Sequence, residues 1–380
     1  MVAHIVIALL GLALIILTLR DTFESLVLPQ TVKRPFVPGR VFYQVTWTVW
    51  VASARRLPAG RKRERYLSVY GPLSLLLLLA VWGYALILGF AMAHWGIGSQ
   101  FNTAGGAPNF GVDLYMSGTT FFTLGLGDVT PNGPLARILT VAEAGTGFGF
   151  LAIVIAYLPV LYGAFSRREI SISLLDARAG SPPTAEELLR RQGSDDASLE
   201  RILADWERWA AELMESHLSY PVLGYYRSQH QNQSWLAALT LILDVSTFTL
   251  ASLEGAPARQ AKLTFAMARH AVVDLAQVFG VAPRPPARER LSPEGIHRLR
   301  ESIAVDGIVP SSHAGADRKI TELRRLYEPY VSALGDYFLM TIPAWAAETP
   351  AADNWRTSAW EKVSAGVAEQ VGIDVHDDRF

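Results

Sequence analysis

Residues 117–131 read "SGTTFFTLGLGDVTP". Four threonines, three glycines and one aspartate crowd into this stretch, and long apolar runs flank it on both sides. Residues 115–122 are apolar with interspersed Thr and Ser, and they run straight into "TLGLGD". Such a segment is too short to cross the hydrocarbon core, which takes about 20 apolar residues. Irregular backbone at membrane depth is tolerated only where protein buries it or where it lines a watery path. A short re-entrant helix followed by an extended segment meets that condition.

Working outward, three apolar segments are long enough, or nearly so, to span: 2–19, 72–95 and 135–165. The first lacks a positive residue ahead of it and a small-residue cleavage pattern behind it, so it reads as a retained span rather than a signal peptide. Half of the 380 residues are hydrophobic, the mean hydropathy is +0.21 and the net charge is only −1. No bulk charge argues for a nucleic-acid partner. Those averages conceal two halves, because from Ser166 onward the chain turns charged and amphipathic. Cysteine is absent, which removes disulfides and thiolate metal sites.

Between the first and second spans lie Arg20, Lys33, Arg34, Arg40, Arg55, Arg56, Arg61, Lys62, Arg63 and Arg65, against Asp21, Glu24 and Glu64. Residues 96–134 hold no Lys or Arg. The positive-inside rule then puts the basic loop and the region 166–380 in the cytoplasm, and the N-terminus and the quoted stretch outside. The charges of "ARRLPAGRKRERY" cluster beside Pro and Gly instead of recurring every third position along an apolar helix. They read as topogenic charge beside anionic lipid and not as a voltage sensor. Just before them, "RVFYQVTWTVWVASARRL" reads as a helix lying at the interface, with a cytoplasmic cuff around a pore as the alternative.

A span, a short helix, T-x-G-x-G-D and a second span together resemble the pore of the potassium channel family. The matching residues are Thr123, Leu124, Gly125, Leu126, Gly127 and Asp128. The resemblance implies a filter in which backbone carbonyls replace the water around a monovalent cation, bound at Thr123, Leu124, Gly125 and Leu126. Two glycines separated by one residue let the backbone take the alternating conformations this requires. It also implies a hinge glycine about twenty residues further on, and Gly147 lies 21 positions after Leu126. The likeness covers about residues 70–165. Leu126 departs from it, since most members carry an aromatic there that bonds to pore-helix aromatics; in that neighbourhood this chain offers only Tyr115 and Met116. One filter per chain implies a homotetramer around a central pore, with K+ as the permeant ion and no cofactor.

In the third span, "EAGTGFGF" mimics a dinucleotide fingerprint, but no βαβ unit surrounds it. Its glycines suit close helix packing or bending. Glu143 is an intramembrane carboxylate, expected to be a buried support behind the filter bonded to Thr119 or Thr120, with direct cation attraction or exposure near the outer end as alternatives. Leu151, Ile155 and Pro159 share a face one turn apart and are the expected lining of the inner pore, Pro159 with a possible kink.

The soluble half is helical by pattern: 199–218, 235–253, 261–280 and 320–342 read as amphipathic or buried helices. Thr184 and Glu187 form a capping box, and Ser292 with Pro293 opens a short helix within a Pro-, Ser- and Gly-rich connection at 282–318. The 235–253 segment reads as a buried core helix rather than a fourth span, because Asp244 sits at its centre. His217, Tyr220, Tyr225, Tyr226 and His230 have no metal-ligand spacing and read as ordinary packed or surface side chains. Nothing resembles a Rossmann fingerprint, a cyclic-nucleotide module or a G-x-S-x-G elbow. "RREISISLLD" (167–176) follows the third span with barely a break, a connection able to transmit displacement.

These residues set an expectation: an all-α membrane protein with three transmembrane helices, a re-entrant pore helix and a filter, followed by an all-α cytoplasmic domain. The expected domains are 1–66, 67–165 and 166–380. The expected function is a tetrameric potassium-selective or potassium-preferring channel, not an enzyme, regulated through the cytoplasmic helices by a cytosolic ligand or protein. A non-conducting receptor, or a membrane-anchored scaffold or enzyme, is the alternative.

Overall fold

A computed structural model of the chain describes residues 1–28, 38–103, 109–180, 182–229, 233–306, 308 and 314–346. Lys33 and Arg34 of the basic loop, His230 and part of the 282–318 connection lie outside the described residues. The chain forms two compact units. The first comprises Met1–Phe165 and Ser216–Tyr226; the second comprises Ser166–Glu215 and Arg227–Phe380.

In the first unit α1 (Val2–Leu26), α2 (Pro38–Ala54) and α3 (Arg61–Ile97) precede a short helix α4 (Phe110–Phe121) and the part of the long α5 (Pro134–Ala179) up to Phe165. Small residues let α1 lie directly on α3: a Cβ on Gly96 would fall 2.4 Å from the Ala8 amide nitrogen, and one on Gly11 2.6 Å from the Gly89 carbonyl oxygen. Close backbone approach of this kind is how helices associate where water supplies no hydrophobic drive. Asp21 ties the three helices together, accepting from the Gly39 amide of α2 at 3.1 Å and from the Trp82 indole of α3 at 2.8 Å. Two strands, β1 (Gln100–Thr103) and β2 (Val129–Asn132), pair antiparallel in the register Phe101↔Pro131 and Thr103↔Val129. They bracket α4 and the segment after it.

The Ser216–Tyr226 segment completes the core of this unit. It consists of the end of α7 (Asp196–Ser219) and a 3-10 turn over Pro221–Tyr225. Tyr225 stacks on Tyr43 of α2 with centroids 5.5 Å apart and meets Trp47 and Tyr70 edge-on. Val222 and Leu223 join Leu75 and Leu78 of α3 and Tyr157, Leu161 and Phe165 of α5 in one buried cluster. The Tyr226 ring lies where a Cβ on Gly71 would be, 2.7 Å from its Cδ2. His217 is buried, and of the five residues grouped in the sequence only His230 escapes description.

The second unit contains α6 (Ala185–Gln192), most of α7, α8 (Trp235–Ser252), α9 (Gly255–Phe279), α10 (Pro293–Ala304), α11 (Ala314–Arg325) and α12 (Glu328–Phe338). Thr184 caps α6 by accepting from the Glu187 amide at 3.2 Å, and Ser292 caps α10 by accepting from Gly295 at 3.1 Å. The single helix expected over 320–342 divides at Leu326 and Tyr327. Pro329, which lacks an N–H and restricts the residue before it, fits only near the start of a new helix. Among the described residues, four helices are long and apolar enough to cross a membrane: α1, α3, α5 and α8. For α8, 94% of the apolar window is buried inside the protein, as a core helix requires.

Asp244, at the centre of α8, explains how a carboxylate survives there. Arg290 grips both its oxygens at 3.2 and 2.5 Å, Tyr327 donates at 2.5 Å, and Arg290 also reaches Glu328 at 3.1 Å and the Pro343 carbonyl at 2.8 Å. Burial pulls the Arg290 guanidinium toward the neutral form, but Asp244 beside it prevails and holds its pKa above the ordinary arginine value. Arg290→Met would leave Asp244 buried with its charge unpaired, a loss on the order of 3–5 kcal/mol. The expected outcome is a clear drop in the unfolding temperature of the full chain in mild detergent, followed by tryptophan fluorescence.

Candidate functional site

The segment from α4 to β2 is built by local rules. Asn109 opens α4 by accepting from the Val112 amide at 3.2 Å. At its other end the helix tightens: the Thr123 amide donates to the Thr120 carbonyl at 3.0 Å and the Leu124 amide to the Thr119 carbonyl at 2.8 Å. The backbone then alternates. Thr123 (φ 56°), Gly125 (φ 57°) and Gly127 (φ 79°) are left-handed. The two glycines adopt this without cost, whereas Thr123, β-branched, is strained by about 1–3 kcal/mol. Strain held at a threonine directly before two permissive glycines marks a site where backbone direction matters more than stability.

The whole run from Phe122 to Asp128 is exposed within one chain, Leu124 to 60% and Leu126 to 63%. Tyr115 donates its hydroxyl to Asp128 Oδ2 at 2.9 Å, joining the middle of α4 to the end of the run. Thr119 and Thr120 turn inward on their own helix, to the Met116 carbonyl at 3.0 Å and the Met116 sulfur at 3.9 Å.

Behind this run lies α5. A Cβ on Gly147 would be 2.1 Å from the Phe121 carbonyl oxygen and 3.0 Å from its Cα, so only glycine permits the approach. The helix runs unbroken through Gly147 and Pro159. At Gly147, expected as a hinge, the structure shows close contact with α4. Gly145 and Gly149 meet nothing within 4 Å. One turn before Gly147, Glu143 is fully buried and faces His94 of α3 and Ser117 of α4, not Thr119 or Thr120. Leu151 and Ile155 are exposed at 52% and 63% on α5, and Pro159 is exposed as well. His94 and Ser117 were missed in the sequence. The available signal was a histidine at the end of an apolar span, since ionisable groups inside membranes ordinarily have a partner.

Comparison with known proteins bears on the same residues. Residues 74–161 match the family described as "Ion channel". These residues run from Ser74 in α3 to Leu161 in α5, so the matched segment holds α4, the T-x-G-x-G-D run and Glu143, in line with the likeness to the potassium channel pore. An uncharacterized membrane protein of Bacillus subtilis (strain 168), YdjJ, is 30% identical over 203 residues, which cover 51% of this chain and 57% of that protein. The match thus spans just over half the length of this relative. No solved structure matches. The chain is a multi-pass membrane protein of all-α architecture, with a segment that matches an ion channel family and a further helical unit.

Gly147→Ala is the sharpest test of this packing. The added methyl meets backbone that cannot rotate away, so the expected cost is about 3 kcal/mol or more, the upper range for overpacking. Gly145→Ala and Gly149→Ala serve as controls and should cost far less, by thermal unfolding in detergent.

Proposed function

We propose that the protein is a homotetrameric potassium-selective or potassium-preferring channel in which residues 123–128 are the selectivity filter. One observation carries the proposal: left-handed backbone at Thr123, Gly125 and Gly127, alternate positions of T-x-G-x-G-D, inside an ion channel domain. Alternation between left-handed and ordinary residues turns successive carbonyls the same way, as a row of ligands for a dehydrated cation must be. One chain supplies a single exposed row, and an ion needs a ring. Four copies complete it, and they also cover the apolar filter side chains that a lone chain leaves open.

In this reading Tyr115 and Glu143 support the filter from behind, K+ is the permeant ion, and Leu151, Ile155 and Pro159 line the inner pore. An apolar lining of this kind closes readily by dewetting. The lysine and arginine asymmetry places the N-terminus outside and the helical unit in the cytoplasm, with the basic α2–α3 corner against anionic lipid.

Regulation enters through the Ser216–Tyr226 segment. It belongs to the pore-bearing unit, yet it is covalently continuous with the second unit at both its ends. Its Val222, Leu223 and Tyr226 pack on Leu161 and Phe165 near the inner end of the pore-lining helix. A cytosolic ligand or protein that prefers one arrangement of the helical unit would shift the gate through this strap and through the unbroken α5.

Reconstituted into liposomes, the protein should pass K+ faster than Na+, and Gly125→Asp should abolish the flux. Equal fluxes would reject selectivity, and undiminished flux in the variant would reject this pore. Light scattering should give four chains per particle. Tyr226→Ala should alter open probability in single-channel records while leaving ion selectivity intact; an unaltered open probability would exclude the strap.

A further inference from the structure

Behind the filter, three helices bury four polar side-chain atoms that have no hydrogen-bond partner within 3.5 Å: His94 Nε2 on α3, Ser117 Oγ on α4, and both carboxyl oxygens of Glu143 on α5. His94 and Glu143 have fully buried side chains, with Nε2 and Oε2 3.7 Å apart. Ser117 is also fully buried and lies within electrostatic reach of the Glu143 carboxyl group. Orphaned polar atoms in one dry place cost several kcal/mol unless they serve each other. An acid, a base and a hydroxyl drawn from three elements do so when a shift of a few tenths of an ångström, or one bridging water, closes the gaps.

We propose that His94 is a positioning residue for the filter. With Glu143 and Ser117 it forms a polar clasp that fixes the rotation of the pore helix and hence the direction of the filter carbonyls. The inference rests on the channel function proposed above and adds to it the group that holds the filter in shape.

Two features make this more than packing. First, α4 and α5 touch at points spaced alike on both helices, Ser117 with Glu143 and Phe121 with Gly147. The glycine contact sets how close the helices come. Apolar burial around it is non-directional and does not set how α4 turns about its axis; polar contacts do. Rotation of α4 would carry with it the Thr119 and Thr120 carbonyls that hold the first filter amides.

Second, His94 also touches the segment that leads to the hairpin. Its Nδ1 lies 2.8 Å from Ser99 Oγ, and its ring packs on Phe101, centroids 5.2 Å apart. Phe101 belongs to β1, whose partner β2 begins at Val129, directly after Asp128. The ring thus lies between Glu143, which faces the helix that enters the filter, and β1, which pairs with the strand that leaves it.

The double variant His94→Leu/Glu143→Leu tests the clasp. It removes the acid and the base together and leaves no charged orphan, so the fold should survive. Wild type and variants are compared in liposomes for the K+/Na+ flux ratio and in detergent for unfolding temperature. Expected is a near-native unfolding temperature with the flux ratio lowered about tenfold, the factor that 1.4 kcal/mol between two ions represents. His94→Gln, which keeps a donor and an acceptor, should hold the wild-type ratio. A stable double variant with an unchanged ratio overturns the clasp. If the double variant does not assemble, Ser117→Ala decides: a lowered ratio supports the clasp and an unchanged one overturns it. Wild-type protein that passes no ions overturns the channel function and the clasp with it, whereas selective wild-type flux with an unaffected variant overturns the clasp alone.

Discussion

The contact on which the first unit depends is the seating of α5 against the last turn of α4, glycine backbone on the Phe121 carbonyl. No side chain intervenes, so the start of the T-x-G-x-G-D run is placed to within the tolerance of one van der Waals contact. That closeness has two consequences. It brings Glu143, one turn earlier, against Ser117 and His94 in a space with no solvent. It also leaves the run from Phe122 to Asp128 on the opposite side, open and apolar within a single chain. A strained Thr123 persists there because the helix end before it and the hairpin after it over-determine its backbone.

The second unit meets a different constraint by different means. Its central helix α8 is buried almost all round, and an all-apolar helix of that length would suit a bilayer as well as a protein core. Asp244 separates the two outcomes. It is tolerable only where Arg290 and Tyr327 reach it, and both come from elements far along the chain. The same buried charges bind the 282–292 stretch and Pro343 to the core, so a stretch rich in proline is held by ion pairs rather than by helix packing.

How much was legible follows from how local each feature is. The extended T-x-G-x-G-D run after a short helix, the caps at Thr184 and Ser292 and the apolar lengths of α1, α3 and α5 are properties of contiguous residues, and each appears where the pattern put it. The break before α12 was legible in principle, because Pro329 announces it. The burial of Glu143 was recognisable, but its partners were not: the nearest threonines bond within α4, and the histidine comes from another helix. The tyrosines of 220–226 read as ordinary side chains because nothing in their spacing signals that Tyr225 completes an aromatic core begun by Tyr43, Trp47 and Tyr70.

By itself, then, the sequence determined the helices, their caps and the one irregular segment that apolar surroundings would tolerate, because periodicity, propensity and glycine permissiveness act within a few residues. Only the tertiary structure decided which buried polar groups face each other, which glycine is a packing contact, and that a turn from the latter half of the chain closes the core of the first. Those outcomes depend on the fit of surfaces distant in sequence, where a difference of one ångström separates a hydrogen bond from an orphaned charge.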